Sequence, residues 1–178
     1  SMAFVLGLSQ EQWDALNSDA AQPLYNRVRE TWVPGSSFKP VIGAIGLSTG
    51  TLTADEDLGA SGLSWQKDSS WGDYYVTTLH EYFGAANLRN ALVYSDNIYF
   101  AKAALQIGAD TLAQQLEKLG FNQEIPFDIS MTSSQYSNTE GIDTEIQLAD
   151  SGYGQGQILV NPLHLACIYS AFFNEGDM

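Results

Sequence analysis

Pro34-Gly35-Ser36-Ser37-Phe38-Lys39-Pro40-Val41 decides how the rest of the chain is read. A polar, irregular stretch precedes it, and the apolar run Val41-Ile42-Gly43-Ala44-Ile45-Gly46-Leu47 follows. Pro34 and Gly35 stop whatever comes before, so the sequence predicts a helix starting at Ser36 and running to about Ser48, near Gly50. Residues three apart share a helix face, which puts the Ser36 hydroxyl one turn from the Lys39 amine. A serine beside a lysine at a helix N-terminus suits a nucleophile and its base. Unfilled N–H groups and the helix dipole favour negative charge at Ser36. The same field and burial disfavour the ammonium form of Lys39, and a neutral lysine can accept the serine proton. The competing explanation of the spacing is a capped helix with a solvated lysine.

Spacing alone is not specific. Ser64-Trp65-Gln66-Lys67 repeats it, but Asp68-Ser69-Ser70-Trp71-Gly72 follows, which is no helix start. We read that second match as a coincidence within a loop. The real pair should bring Ser36 Oγ and Lys39 Nζ within about 4 Å, and Ser64 and Lys67 should not converge.

The chain has 178 residues, enough for one domain with a sizeable core. Hydrophobic residues make up 44%, which argues against disorder. The formal net charge of −14, from 21 acids against 7 bases, leaves no basic patch for nucleic acid or an anionic membrane surface. No apolar run reaches the roughly 18 residues that a transmembrane helix needs. His80 and His164 lack ligand spacing, so no zinc or other metal site is expected. The single cysteine, Cys167, sits in an apolar helical pattern and reads as a buried thiol. Ser1-Met2 reads as a pair left by cloning and is set aside.

Helix signals recur along the chain. Ser9-Gln10-Glu11-Gln12 is a capping-box pattern that opens a helix over 10–17. Asn87 caps a helix over 88–94, and Asp96-Asn97 opens one over 97–107 that is closed by Gly108. Asp110 is read as the cap of a helix over 110–119, and Asn161-Pro162 starts one over 162–174. A helical turn is expected at Leu79–Phe83. Residues 51–78 read as a long loop or short strands packed by Trp65, Trp71, Tyr74 and Tyr75, and residues 121–145 read as loop. Gly152-Tyr153-Gly154-Gln155-Gly156 must turn or approach another backbone closely, and it is not a phosphate loop.

Ser95-Asp96-Asn97, at a predicted helix–helix corner, is by itself an ordinary cap. Paired with Ser36-x-x-Lys39, it resembles the signature order of penicillin-recognising serine enzymes. Pro34 to Pro40 resembles the nucleophile segment of penicillin-binding protein transpeptidases. Trp65-Gln66-Lys67-Asp68, Ser95 to Ala101 and Leu148 to Gly156 are also similar to that family. They come nearest to its class B, low-affinity, methicillin-resistance-type branch. Class A β-lactamases also resemble this order, but Glu145-Ile146-Gln147-Leu148-Ala149 lacks the Asn of their deacylating segment. Class D enzymes and β-lactam sensors carry Ser-x-Val where this chain has Ser95-Asp96-Asn97.

The resemblance implies a mainly α chain. It would be the helical subdomain (36–176) of the α+β transpeptidase and serine β-lactamase-like fold, without most of its antiparallel sheet. The family's third motif, Lys-Ser/Thr-Gly, does not follow Ser95, where the lysines are Lys102 and Lys118. The expectation is therefore a single truncated transpeptidase domain over 1–178, acylating slowly, with one side of its nucleophile helix uncovered.

By resemblance, Ser36 is the nucleophile, Lys39 its base, Ser95 a proton relay and Asn97 the hydrogen-bonding partner of the substrate amide. Peptidoglycan stem peptides and β-lactams are the implied partners. No metal or organic cofactor is implied. The implied location is the extracytoplasmic face of a bacterial, Gram-positive membrane, reached only through an N-terminal anchor of the parent protein. The alternatives are a β-lactam sensor domain and a non-catalytic helical module.

Overall fold

A computed structural model describes residues 2–176. Among the described residues, eight α-helices alternate with long irregular segments. They are α1 (Met2–Leu6), α2 (Gln10–Ser18), α3 (Lys39–Ser48), α4 (Leu88–Val93), α5 (Asn97–Ile107), α6 (Ala109–Lys118), α7 (Glu145–Ser151) and α8 (Pro162–Ser170). The strands β1 (Ser64–Trp65) and β2 (Val76–Thr77) pair antiparallel, with Ser64 opposite Thr77 and Trp65 opposite Val76. Isolated bridges join Trp32 to Val160 and Gln135 to Leu159. The chain is thus mainly helical, as its capping signals predict. Of the set-aside pair Ser1-Met2, Ser1 lies outside the described residues.

α5 is the centre of the molecule. Its apolar density lets it bury nearly its whole circumference, including Tyr99, Phe100, Ala101, Ala103 and Ala104. One face packs with Phe38, Ile42 and Ile45 around α3, while Ile98 and Ala101 join Trp71, Val76 and Ala149 in a second cluster. α7 comes very close. A Cβ at Gly152 would stand 2.1 Å from the Phe100 carbonyl oxygen, so only glycine fits between the two backbones. The far side of α3 borders an apolar cavity of about 310 Å³ lined by Val41, Ala44, Ile45, Ile168 and Phe172.

Several elements differ from the sequence reading. The first turn after Gly35 is 3₁₀ over Gly35–Phe38, and the α-helix begins only at Lys39. α6 starts at Ala109 with Gly108 (φ +84°) as its N-cap, so Asp110 lies inside the first turn and makes no capping bond. α8 ends at Ser170, and single turns continue from Ala171 to Gly176. Leu79–Phe83 is not helical, and Leu79 and Phe83 stand in solvent with no apolar neighbour face to cover them. Cys167 is exposed rather than buried, because α8 buries only the stripe through His164 and Ile168. It faces a cavity of about 410 Å³ next to Phe127 and Leu163.

α7 lay within and beyond the stretch read as loop. Thr144 caps it by accepting from the Gln147 N–H, and Gln147 turns back to accept from the Asp143 N–H. The long 51–78 segment is organised by its aromatics. Trp65 meets Trp71 edge-on at 5.5 Å, and Trp71 meets Tyr74 at 6.1 Å, while Tyr75 stays half exposed. His164 is a core histidine. Its Nε2 lies 2.6 Å from the Leu119 carbonyl, which can only accept, so Nε2 carries the proton. Nδ1 then accepts from Ser134 Oγ at 2.7 Å.

Candidate active site

Three segments meet at Lys39. The 3₁₀ turn leaves Ser36 and Ser37 exposed and drives Phe38 and Lys39 inward, to 0% and 2% exposure. Phe38 anchors the turn edge-on against Phe121 at 5.9 Å. Gly35 makes the turn possible with φ +55°, and its N–H donates to the Gly154 carbonyl at 2.9 Å. Gly154 must be glycine as well, since a Cβ there would stand 2.2 Å from the Gly35 oxygen.

The α4–α5 corner supplies the second side. Ser95 adopts φ +54°, an uncommon conformation for a side-chain-bearing residue that costs about 1–2 kcal/mol. The backbone is fixed there by the Asp96 N–H donating to the Ala91 carbonyl at 2.9 Å. Asp96 in turn caps α5, accepting from Ile98 and Tyr99 N–H groups, and takes the Tyr82 hydroxyl on its other oxygen at 2.9 Å. The strained corner turns both the hydroxyl and the carbonyl of Ser95 toward Lys39. Asn97 follows in the first turn of α5, oriented by donating from Nδ2 to the Thr77 carbonyl at 2.8 Å.

Lys39 Nζ stands within reach of four oxygens: Ser36 Oγ at 3.1 Å, Ser95 Oγ at 2.9 Å, the Ser95 carbonyl at 2.7 Å and Asn97 Oδ1 at 2.6 Å. Ser95 Oγ also lies 3.0 Å from Ser36 Oγ, which closes a triangle of two hydroxyls and the amine. Burial lowers Lys39 from the ordinary lysine value of 10.5 to about 8, against the opposing charge of Asp96. The Ser95 carbonyl and Asn97 Oδ1 can only accept, so each takes an N–H of Lys39; once the amine is neutral, its lone pair is left facing the two hydroxyls. The arrangement can therefore draw a proton from Ser36 Oγ.

The sequence-predicted residues Ser36, Lys39, Ser95 and Asn97 are thus brought together. Ser64 and Lys67 are not. Ser64 lies in β1, and Lys67 pairs with Glu145, which also accepts from Trp71 Nε1 at 3.3 Å. The bond from Lys67 to Glu145 holds Lys67 above the ordinary lysine value, the opposite of what a base at neutral pH requires. Glu145 is occupied by this tie between the 51–78 segment and α7.

The triangle opens into a cavity of about 380 Å³. Besides Ser36 and Asn97 it is lined by Tyr74, Asp150, Tyr153 and Gln155. Read from the sequence, Tyr74 has only a packing role and the other three have no individual role, although Asp150, Tyr153 and Gln155 lie in the segment Leu148 to Gly156 that resembles the family. Their only signal was the dense aromatic and glycine content of two loops, and the fold converts that into one wall.

Residues 5–178 match the penicillin binding protein transpeptidase domain. The chain is 45% identical over 175 residues to penicillin-binding protein 3 of Bacillus subtilis, covering 98% of this chain and 26% of that protein. It is 30% identical over 186 residues to the peptidoglycan D,D-transpeptidase MrdA of Acinetobacter baumannii, covering 98% of this chain and 27% of that protein. The chain therefore spans about a quarter of the length of these curated relatives. Among solved structures, a penicillin G acyl-enzyme complex of penicillin-binding protein A from M. tuberculosis superposes with a TM-score of 0.81 at 26% identity, covering 93% of this chain and 38% of that one. A buried lysine shared by two serines and an asparagine thus sits within a sequence and fold held in common with these proteins, and the chain belongs to the penicillin-binding protein transpeptidase family.

Proposed function

We propose that this chain carries the acyl-transfer centre of a peptidoglycan D,D-transpeptidase. Ser36 Oγ attacks the penultimate D-Ala carbonyl of a stem peptide, an ester forms on Ser36, and the terminal D-Ala leaves. An amine of a neighbouring stem peptide then resolves the ester and crosslinks the two strands. Lys39 takes the Ser36 proton, Ser95 relays it to the departing D-Ala amine, the proton that the attacking amine later loses returns by the same relay to Ser36 Oγ, and Asn97 hydrogen-bonds the substrate amide. The Ser36 N–H is one oxyanion donor.

The observation that carries this reading is the triangle of Ser36, Lys39 and Ser95 with edges of 2.9–3.1 Å around a buried amine of lowered pKa. A surface Ser-x-x-Lys such as Ser64/Lys67 has neither the convergence nor the burial. β-Lactams, as mimics of the D-Ala terminus, acylate the same serine. The quoted motifs favour the low-affinity, methicillin-resistance-type branch. A Bacillus relative at 45% identity favours a Gram-positive source and the outer face of its membrane. No helix among the described residues is long and apolar enough to cross a membrane.

The test is turnover of a D-Ala-D-Ala-terminated peptide with an added primary amine, followed by mass spectrometry. The reading predicts release of D-Ala with amide formation to the amine, and loss of both in Ser36→Ala. Product formation that survives Ser36→Ala would remove the serine from the mechanism.

A further inference from the structure

One cluster in the cleft is used by none of the roles above. Tyr74 and Tyr153 both donate their phenol O–H to Oδ1 of Asp150, and the two phenol oxygens lie 3.4 Å apart. The tyrosines come from different parts of the chain. Tyr74 precedes β2, while Asp150 and Tyr153 belong to the end of α7 and the turn beyond it. That turn is the one tied to the nucleophile through the Gly35 N–H and the Gly154 carbonyl. Asp150 is the one charged side chain among the described residues that line the Ser36 cavity.

A tie between the loop and α7 would need only an acceptor oxygen. An asparagine could take both phenol protons without placing a net charge in a partly closed cleft, where an unpaired charge is costly. The tyrosines leave the carboxylate half used. Burial first, and the bond to Asp150 second, push Tyr74 up to about 12 and Tyr153 higher, so both remain donors at neutral pH. Both occupy Oδ1. Oδ2 accepts no hydrogen bond among the described residues. The cluster is therefore a fixed anion with one open oxygen, on the wall of the cavity that holds the nucleophile.

We propose that Asp150, oriented by Tyr74 and Tyr153, is an anionic subsite for the primary ammonium group of the amine acceptor. The identity of that ligand rests on the acyl-transfer reading, in which an amine must reach the Ser36 ester. An alkyl amine arrives protonated, since its free pKa is about 10.4. A carboxylate in the cleft captures that cation beside the ester and selects it over uncharged groups; the nitrogen attacks only after the ammonium has released a proton to the Ser95–Lys39 relay. The chain's net charge of −14 adds long-range attraction of the same sign.

The experiment titrates the 178-residue chain with Nα-acetyl-L-lysinamide and with its uncharged analogue Nα-acetyl-L-norleucinamide. Backbone amide NMR signals of Tyr74 and residues 150–156 are followed. The lysine probe is expected to shift these signals with an affinity about tenfold or more above that of the neutral probe. Asp150→Asn, which keeps an oxygen for both tyrosines, should lose about the same factor. Equal response to the two probes, or an undiminished response in a folded Asp150→Asn, overturns the subsite. If Asp150→Asn does not fold, the wild-type comparison of the two probes decides alone. Penicillin labelling of wild-type Ser36, which needs no amine, reads the acyl-transfer mechanism separately. Ammonium selectivity without labelling would leave the subsite standing and the mechanism in error.

Discussion

Lys39 Nζ lies 2.7 Å from the carbonyl and 2.9 Å from the hydroxyl of Ser95, a residue 56 positions along the chain. Both contacts come from one backbone choice, the φ of +54° at Ser95. The fold accepts local strain at the α4–α5 corner and gains a second hydroxyl on the amine that faces Ser36. The strain and the chemistry are thus the same feature, and the two can be separated by substitution.

Ser95→Gly should relieve the backbone strain and remove the hydroxyl, while Ser95→Ala removes the hydroxyl and keeps the strain. Both variants should acylate slower, by about 10² or more, as expected when a proton relay is lost. Ser95→Gly should be more stable than Ser95→Ala by about 1 kcal/mol in urea unfolding. Equal stability of the two would mean that the corner is not strained.

The pH profile follows from Lys39. Its pKa is lowered to about 8 by burial, so the neutral, proton-accepting form dominates only above that pH. Penicillin acylation should rise with pH through about 8 and then level off. Below it the rate should fall about tenfold per pH unit. A flat profile between pH 6 and 9 would exclude Lys39 as the base.

Gly152→Ala sets two effects against each other. Gly152 has φ −58° and ψ −27°, so alanine suits its backbone and on chain entropy alone would stabilise by about 0.4–1 kcal/mol. Its Cβ, however, would stand 2.1 Å from the Phe100 carbonyl. Overpacking against a backbone atom that cannot swing away should dominate, with a net loss of about 1–3 kcal/mol. A higher urea midpoint for Gly152→Ala would show that α5 and α7 are not in close contact.

Much of this architecture was legible because its signals are local. The Ser36/Lys39 pairing follows from spacing three apart, and α5 is announced by Asp96, its apolar run and Gly108 in adjacent positions. What escaped was set by distance in sequence. α7 begins at the edge of a polar stretch, and its helix is held by Gly152 meeting Phe100. Its one local cue is the Thr144-x-x-Gln147 capping pattern. Asp150 meets Tyr74 across 76 residues, which no local pattern encodes. Cys167 looked buried because its neighbours are apolar, but α8 buries only the stripe through His164 and Ile168.

Lys67→Ala separates the two Ser-x-x-Lys matches. Lys67 and Glu145 form an exposed ion pair, which solvent screens almost completely. The variant should therefore leave the urea midpoint nearly unchanged and acylation at Ser36 within about threefold. A loss comparable to that of Lys39→Ala would place Lys67 in the mechanism.

The most direct measurement of the central claim is site-resolved penicillin labelling of the whole chain. The protein is treated with a fluorescent penicillin, weighed intact, and digested to locate the adduct. The account predicts one covalent adduct on the peptide that carries Ser36, absent from Ser36→Ala and slowed by about 10² or more in Lys39→Ala. An adduct on another residue, or labelling that persists in Ser36→Ala, would contradict it.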